Sequence, residues 1–154
     1  MGPLFESLIE IIRRTSAEIP DDVQRAILAA LENEKQDTIA KSAMEIIERN
    51  IALAKEKSQP LCQDTGSVLF YVDCPVGYDQ MEFADTARAA VTEATKRGIL
   101  RQNSVDSLTG KNEGTNIGPG APAFHFHQTR EANVTVRLVL KGGGCENVGA
   151  QYSL

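Results

Sequence analysis

This sequence has no tryptophan, only three cysteines and no long apolar run. None of its apolar stretches approaches the roughly 20 residues that cross a bilayer, and its N-terminus lacks a basic segment followed by an apolar core. Lys and Arg number 16 against 21 Asp and Glu, a formal charge of −5. Nucleic acids and anionic membrane surfaces require clustered basic side chains, so we expect neither as the main partner.

The three cysteines are Cys62, Cys74 and Cys145, an odd number at long spacings without a C-x-x-C pair. This pattern indicates neither a disulfide framework nor a zinc knuckle. It fits the reducing cytosol best, so we expect a cytoplasmic protein. The length of 154 residues predicts a single domain over 1–154, helical in 1–58 and mixed in 59–154.

The first third of the chain carries apolar residues at helical spacing. This predicts one helix from residue 4 to about 19, a second from 21 or 22 to 33–36, and a third from 37 or 38 to 57. Each helix has a single apolar stripe, so we expect the three to cover a sheet. The stripe predicted to be buried on the third helix comprises Ile39, Ala43, Ile46, Ile47, Ile51 and Ala54.

The remainder reads as strands around one more helix. Residues 67–73 form an apolar run without alternation, which predicts a strand buried on both faces. A helix is predicted from 78 or 79 to 97, with Gly98 at its C-cap. Strands are predicted at 123–128 and 134–140, joined as a hairpin by 130–133. The fold class is therefore mixed α/β, with N-terminal helices packed on a small, mostly antiparallel sheet.

A loop at residues 59–66 concentrates chemically active groups. It brings together the thiol of Cys62, the amide of Gln63 and the carboxylate of Asp64, just before the predicted strand. Catalytic groups often lie on loops held by rigid neighbours. The alternative is a buried cysteine beside an ordinary turn.

Two further stretches are candidates for binding. Residues 110–122 are rich in glycine but match neither the P-loop nor the dinucleotide pattern, which predicts a surface loop. Gly142, Gly143 and Gly144 follow Lys141 and could direct several N–H groups at one anion, although a flexible turn explains them equally well. His125 and His127 share one strand face, where partial exposure is a better explanation than metal binding.

Four motifs in order resemble those of the iron–sulfur hydro-lyases, which include class I fumarate hydratase and the alpha subunit of L-tartrate dehydratase. The motifs are Cys-Gln-Asp-Thr-Gly at 62–66, Leu-Arg-x-Asn at 100–103, the Gly-rich tract at 110–122, and Lys-Gly-Gly-Gly-Cys at 141–145. The resemblance covers most of the chain. It implies a [4Fe–4S] enzyme that adds or removes water across a C4 dicarboxylate, such as fumarate/malate or tartrate/oxaloacetate.

The resemblance also implies roles for individual residues. Cys62 is similar to one of three thiolate ligands of the cluster, and Asp64 to a proton donor or acceptor. Gln63 resembles a substrate-contacting residue and Arg101 a carboxylate clamp. The backbone of Gly142, Gly143 and Gly144 would bind the second carboxylate of the substrate. Cys145 occupies a position where the family has Ser or Cys, so it is not assigned as a ligand, and Cys74 is expected to be inert.

In the family, the alpha region continues beyond these motifs and carries the remaining cluster ligands. We therefore expect the chain to be the N-terminal part of an alpha region, without a cluster in isolation and inactive without a C-terminal region or beta subunit. The complete enzyme is expected to be a homo-oligomer. The alternative functions are a non-catalytic anion-binding or assembly module and, with less support, a thiol-redox protein.

Overall fold

The computed structural model describes residues 2–106, 108–144 and 149–150. These residues form a mixed α/β fold, which confirms the predicted class. Its elements are α1 (Pro3–Ala17), α2 (Asp21–Asn33), α3 (Ile39–Lys57), β1 (Ser67–Pro75), α4 (Gln80–Lys96), β2 (Ala123–Thr129) and β3 (Thr135–Lys141). Within the described residues, no helix has both the length and the apolar character required to cross a membrane.

The ends of the helices follow from local chemistry. The hydroxyl of Thr38 caps α3 by accepting a hydrogen bond from the N–H of Lys41. Asp79 caps α4, because its carboxylate accepts hydrogen bonds from two first-turn N–H groups. Gly98 has a φ of +74° just after α4, the left-handed conformation expected of a C-cap glycine. All four helices thus lie close to where the sequence predicted them.

The sheet has β1 in its centre, in the order β2-β1-β3. β1 pairs with β2 in parallel and with β3 in antiparallel orientation. The predicted hairpin between β2 and β3 is wrong, because these two strands lie on opposite sides of β1. The sheet was also predicted to be mostly antiparallel, whereas it has one parallel and one antiparallel pairing. Parallel strands need a crossover connection, and α4 between β1 and β2 provides it.

The strand β1 is buried on one face only, which corrects the prediction that both faces are buried. Val68, Phe70, Val72 and Cys74 point into the core, while the side chain of Tyr71 on the other face is 37% exposed. Buried and more exposed residues therefore alternate along β1, although most of its side chains are apolar.

The core lies between this face of the sheet and two helices, α1 and α4. α1 contributes Phe5, Leu8, Ile9 and Ile12. α4 contributes the predicted small-residue face, with Ala87, Val91 and Ala94 completely buried. These small side chains allow α1 and α4 to approach closely.

The helices α2 and α3 do not cover the sheet, contrary to the prediction. They pack against each other, and α3 also contacts α1. Of the stripe predicted to be buried on α3, only Ile51 and Ala54 are buried, whereas Ile39 is 91% and Ile46 is 69% exposed. Helical spacing shows that a helix is amphipathic, but it does not show which surface its apolar side covers.

Phe83 of α4 is completely buried at the centre of an aromatic cluster. Its ring lies edge-on to those of Phe70 at 6.2 Å and Phe126 at 5.9 Å. We expect Phe83→Leu to lower the free energy of unfolding by about 1–2 kcal/mol, because these ring contacts are lost and the smaller side chain fills the site less well. Urea denaturation measures this. Met81→Leu, at a position 79% exposed on the same helix, is the control and should change it by less than about 0.5 kcal/mol.

Candidate active site

The strand register brings three loops to one edge of the sheet. Ser67, the first residue of β1, pairs with Lys141, the last residue of β3. Ala123, the first residue of β2, pairs with Leu69 near the start of β1. The Cys62 loop before β1, the Gly-rich tract before β2 and the glycines after β3 therefore meet at this edge.

An open cavity of about 1110 Å³ lies between these loops. The residues that line it include Gln63, Asp64, Asn103, Lys111, Lys141 and Gly143. Cys62 and Arg101 are not among the lining residues; the side chain of Cys62 is exposed next to Gln63, and Arg101 is also exposed.

Asp64 connects two of the predicted site segments directly. Its Oδ2 accepts hydrogen bonds from the N–H of Gly143 at 3.1 Å and of Gly144 at 2.8 Å. Its Oδ1 lies 3.3 Å from the same Gly143 nitrogen. The glycine N–H groups predicted to bind an anion therefore bind a carboxylate of this chain, which fixes the orientation of the Asp64 side chain.

Gly66 lets the two segments approach this closely. It has a φ of +73°, and a Cβ at this position would overlap the carbonyl oxygen of Lys141 and lie 2.6 Å from the nitrogen of Gly142. Only glycine fits both the conformation and the contact. The requirement for glycine at 66 is thus steric as well as conformational.

The position of Cys62 is set by its neighbour Leu61, whose backbone is held by two helices. The N–H of Leu61 donates to the carbonyl oxygen of Ser16 at 2.9 Å, at the end of α1. Its carbonyl oxygen accepts a hydrogen bond of 2.8 Å from the side chain of Asn50 on α3. The Cys62 thiol lies 3.5 Å from the carbonyl oxygen of Asp64. No pattern in the sequence indicated that Asn50 holds this loop.

Asn116 is a second residue that sequence reasoning missed. It is 6% exposed, and its amide makes four hydrogen bonds. Its nitrogen donates to the carbonyl oxygen of Arg101 and the hydroxyl of Thr95, and its oxygen accepts from the N–H of Asn103 and of Ser104. It thereby fastens the Leu-Arg-x-Asn segment to the end of α4. Asn116 also has a φ of +57°, which is uncommon for a non-glycine residue. Only the three-dimensional structure reveals this conformation.

The cavity carries charges of both signs. Lys111 and Lys141 line it together with Asp64, Asp106 and Glu113. The backbone N–H and then the hydroxyl of Thr109 donate to Asp106 and lower the pKa of its carboxyl, so this group stays ionised to lower pH. The two lysines are the basic side chains that would face an anionic ligand in this cavity.

The remaining candidates for metal binding lie apart from the cavity. Cys74 is fully buried in β1, which agrees with the expectation that its thiol is chemically inert. His125 stacks on Tyr71 at 4.7 Å and His127 lies 3.3 Å from Asp73, both on the exposed face of the sheet. Over residues 2–106, 108–144 and 149–150, no group of three or more His, Cys, Asp or Glu side chains is arranged to hold a metal ion. The prediction for Cys145 lies outside the described residues.

Comparison with known proteins agrees with the motifs around this cavity. The family model described as fumarate hydratase (Fumerase) matches residues 5–154. The chain belongs to this family. Over its whole length it is 47% identical to a candidate class I fumarate hydratase of Geobacillus stearothermophilus. It is 29% identical over 152 residues, 96% of the chain, to a candidate L(+)-tartrate dehydratase subunit alpha of Methanocaldococcus jannaschii.

A third relative is the L(+)-tartrate dehydratase subunit alpha of Escherichia coli K12, 28% identical over 147 residues or 94% of the chain. The chain covers only part of each fumarate hydratase family relative: 30% of the Geobacillus protein, 53% of the Methanocaldococcus protein and 48% of the Escherichia coli protein. The chain therefore spans between about a third and a half of the length of the curated relatives it matches.

Proposed function

We propose that this chain is the N-terminal part of the alpha region of a hydro-lyase, which reversibly hydrates or dehydrates a C4 dicarboxylate. The observation that carries this proposal is the hydrogen-bonded pairing of Asp64 with Gly143 and Gly144 at the cavity wall. It joins two of the four motifs on which the family resemblance rests. Membership of the fumarate hydratase family supports the same reaction class.

In this proposal Asp64 exchanges a proton with the substrate carbon next to a carboxylate. Adding or removing water across a carbon–carbon double bond requires such a group, positioned within hydrogen-bonding reach. Two backbone N–H groups hold the Asp64 carboxylate, so little reorientation is needed when substrate arrives. Asp64 also lines the cavity, where a substrate can reach it.

For Gln63, Arg101 and the three glycines we propose roles in substrate binding. Gln63 lines the cavity beside Asp64 and can donate to a carboxylate or hydroxyl group. A substrate carboxylate at Gly143 and Gly144 would share their N–H groups with Asp64, whose carboxylate stays in place. Arg101 has an exposed side chain outside the cavity lining, so its role as a clamp requires that the side chain turn inward.

We further propose that the complete enzyme binds a [4Fe–4S] cluster with Cys62 as one ligand. An exposed thiol next to the cavity fits one thiolate position, and the buried Cys74 does not fit another. When bound, such a cluster supplies a Lewis acid for the substrate carboxylate and hydroxyl. In this proposal the other ligands come from a C-terminal region or a beta partner. The assembled enzyme would be a cytoplasmic homo-oligomer.

The test is made on the native protein, purified without air together with any polypeptide that accompanies it. Intact mass identifies the partner, and the assay follows hydration of fumarate and dehydration of L-malate and tartrate. Failure to turn over any of these substrates in iron-replete protein would contradict the proposal.

Asp64→Asn should lower kcat about 10²–10⁴-fold, since the amide cannot exchange the proton.

The matched control for this variant is Asp85→Asn. Asp85 is an exposed carboxylate on α4 that pairs with Arg88 at 3.0 Å, and it is not among the residues that line the cavity. Its loss should leave kcat unchanged. Equal activity in Asp64→Asn and Asp85→Asn would remove Asp64 from the proposed mechanism.

A further inference from the structure

Asn103 holds the backbone of the loop that carries Asp64. With its amide oxygen facing the loop, Asn103 accepts hydrogen bonds from the N–H of Thr65 at 3.1 Å and of Gly66 at 3.0 Å. This orientation follows from the neighbours, because the reverse one would set the oxygen against acceptors and the nitrogen against donors. One side chain therefore binds the two peptide N–H groups that directly follow Asp64.

These two hydrogen bonds act on the backbone of Asp64. The N–H of Thr65 belongs to the peptide unit whose carbonyl group is that of Asp64, so binding it restrains rotation of that unit. The carbonyl oxygen at the other end of the same unit lies 3.5 Å from the Cys62 thiol. Asn103 thus restrains the backbone of Asp64, while Gly143 and Gly144 bind its carboxylate.

Asn103 is in turn held by the protein core. The buried amide of Asn116 accepts from the N–H of Asn103 at 2.9 Å and donates to the hydroxyl of Thr95 in α4 at 3.0 Å. Thr95 is 3% exposed. A continuous series of hydrogen bonds therefore leads from the rigid end of α4 through Asn116 and Asn103 to the loop of Asp64.

We propose that Asn103 is a positioning residue that fixes the Asp64 loop and thereby aims the Asp64 carboxylate into the cavity. This inference rests on the proposed function for its catalytic consequence, whereas the positioning itself can be measured without it. A misplacement of about 1 Å in a reacting group can cost roughly 100-fold in rate. A residue that only aims Asp64 should affect kcat and leave substrate binding unchanged.

The first test is hydrogen exchange of the native protein with Asn103→Ala. Asn103 is exposed, so the variant should fold. The amides of Thr65 and Gly66 should exchange about tenfold faster, because both lose their acceptor. Asn112→Ala is the matched control: the Asn112 side chain binds the backbone of Gln102 and Gly114 but does not bind residues 64–66. It should leave these two amides protected.

The second test is kinetic. Asn103→Ala should lower kcat about 10–100-fold with KM changed less than about twofold, the pattern of an interaction needed in the transition state. Asn103→Asp keeps an oxygen acceptor toward Thr65 and Gly66 and should restore slow exchange of these two amides, whereas kcat should recover only in part, because its second oxygen faces acceptors. Loss of structure in general would not be rescued by this one atom.

The outcomes separate the inference from the proposed function. Unchanged exchange of Thr65 and Gly66 in Asn103→Ala would overturn the inference whatever the activity. Faster exchange with an unchanged kcat would overturn the positioning role. Faster exchange in a protein whose wild type turns over no dicarboxylate would support the positioning of the loop and contradict only the proposed function.

Discussion

Gly66→Ala is expected to lower the free energy of unfolding by about 2–4 kcal/mol. The left-handed conformation at Gly66 costs a residue with a Cβ about 1 kcal/mol. The new methyl group would also overlap the backbone of Lys141, and forcing such an overlap typically costs about 1–3 kcal/mol. The neighbour is backbone rather than a flexible side chain, so the sheet edge must open. For a chain of this size we expect Tm to fall by about 6–12 °C.

Gly98→Ala separates the two contributions. Gly98 has a φ of +74°, nearly the same as at Gly66, but no atom lies within 4 Å of the place its Cβ would occupy. Its substitution should therefore cost only the conformational term of about 1 kcal/mol. Equal losses of Tm in the two variants would show that the contact with Lys141 contributes nothing. Faster exchange of the Gly143 N–H in Gly66→Ala alone would show directly that the Asp64 bonds have opened.

Cys62→Ala, made in the enzyme with all its polypeptides, is expected to abolish dicarboxylate turnover and to reduce bound iron. The proposal assigns Cys62 as a thiolate ligand, and alanine offers no donor to iron. Cys62 is exposed, so its truncation leaves no buried cavity, and a fall in Tm should come only from the loss of bound iron. Iron and sulfide analysis after anaerobic purification, combined with the fumarate assay, measures the effect. Full iron content together with full activity would contradict the assignment.

Cys74→Ala is the matched control for this experiment. Cys74 is 0% exposed within β1, so its truncation leaves a small cavity and should cost about 1 kcal/mol of stability. Iron content and turnover should remain those of the wild type. The two cysteines therefore have different expected results: loss of iron and of turnover for Cys62, and loss of stability at constant iron and turnover for Cys74.

The helix positions could be predicted because they depend on short-range signals. Pro20, the caps at Thr38 and Asp79, and Gly98 act within one turn of the chain. The pairing of strands depends instead on contacts between distant residues. The short connection at 130–133 suggested a hairpin, yet the β1-α4-β2 crossover places β2 on the far side of β1. The helical segment between the strands was the available signal for a parallel pairing.

The same limit applies to the candidate site. Asp64 and Gly142–144 were identified from chemistry and resemblance, and the structure adds that Gly143 and Gly144 bind the Asp64 carboxylate. No sequence pattern shows that Asn50 and Asn116 bind backbone groups of other segments, and the motif that contains Asn103 does not show what its side chain binds. The exposure of Ile39 and Ile46 was missed for a related reason. An apolar stripe reports that a helix has two unlike faces, but not what lies against either face.

The sequence by itself determined the helices, the mixed class, the loop chemistry and the family, because each depends on neighbouring residues or on ordered motifs. Only the tertiary structure decided that the Asp64 carboxylate binds the Gly143 and Gly144 amides and that Gly66 must lack a Cβ. Those two facts follow from the register of β1 against β3. In this register Ser67 pairs with Lys141, which lies 74 positions (141 minus 67) further along the chain. Register is set by how whole strand faces pack against α1 and α4, a property of the assembled core rather than of any local segment.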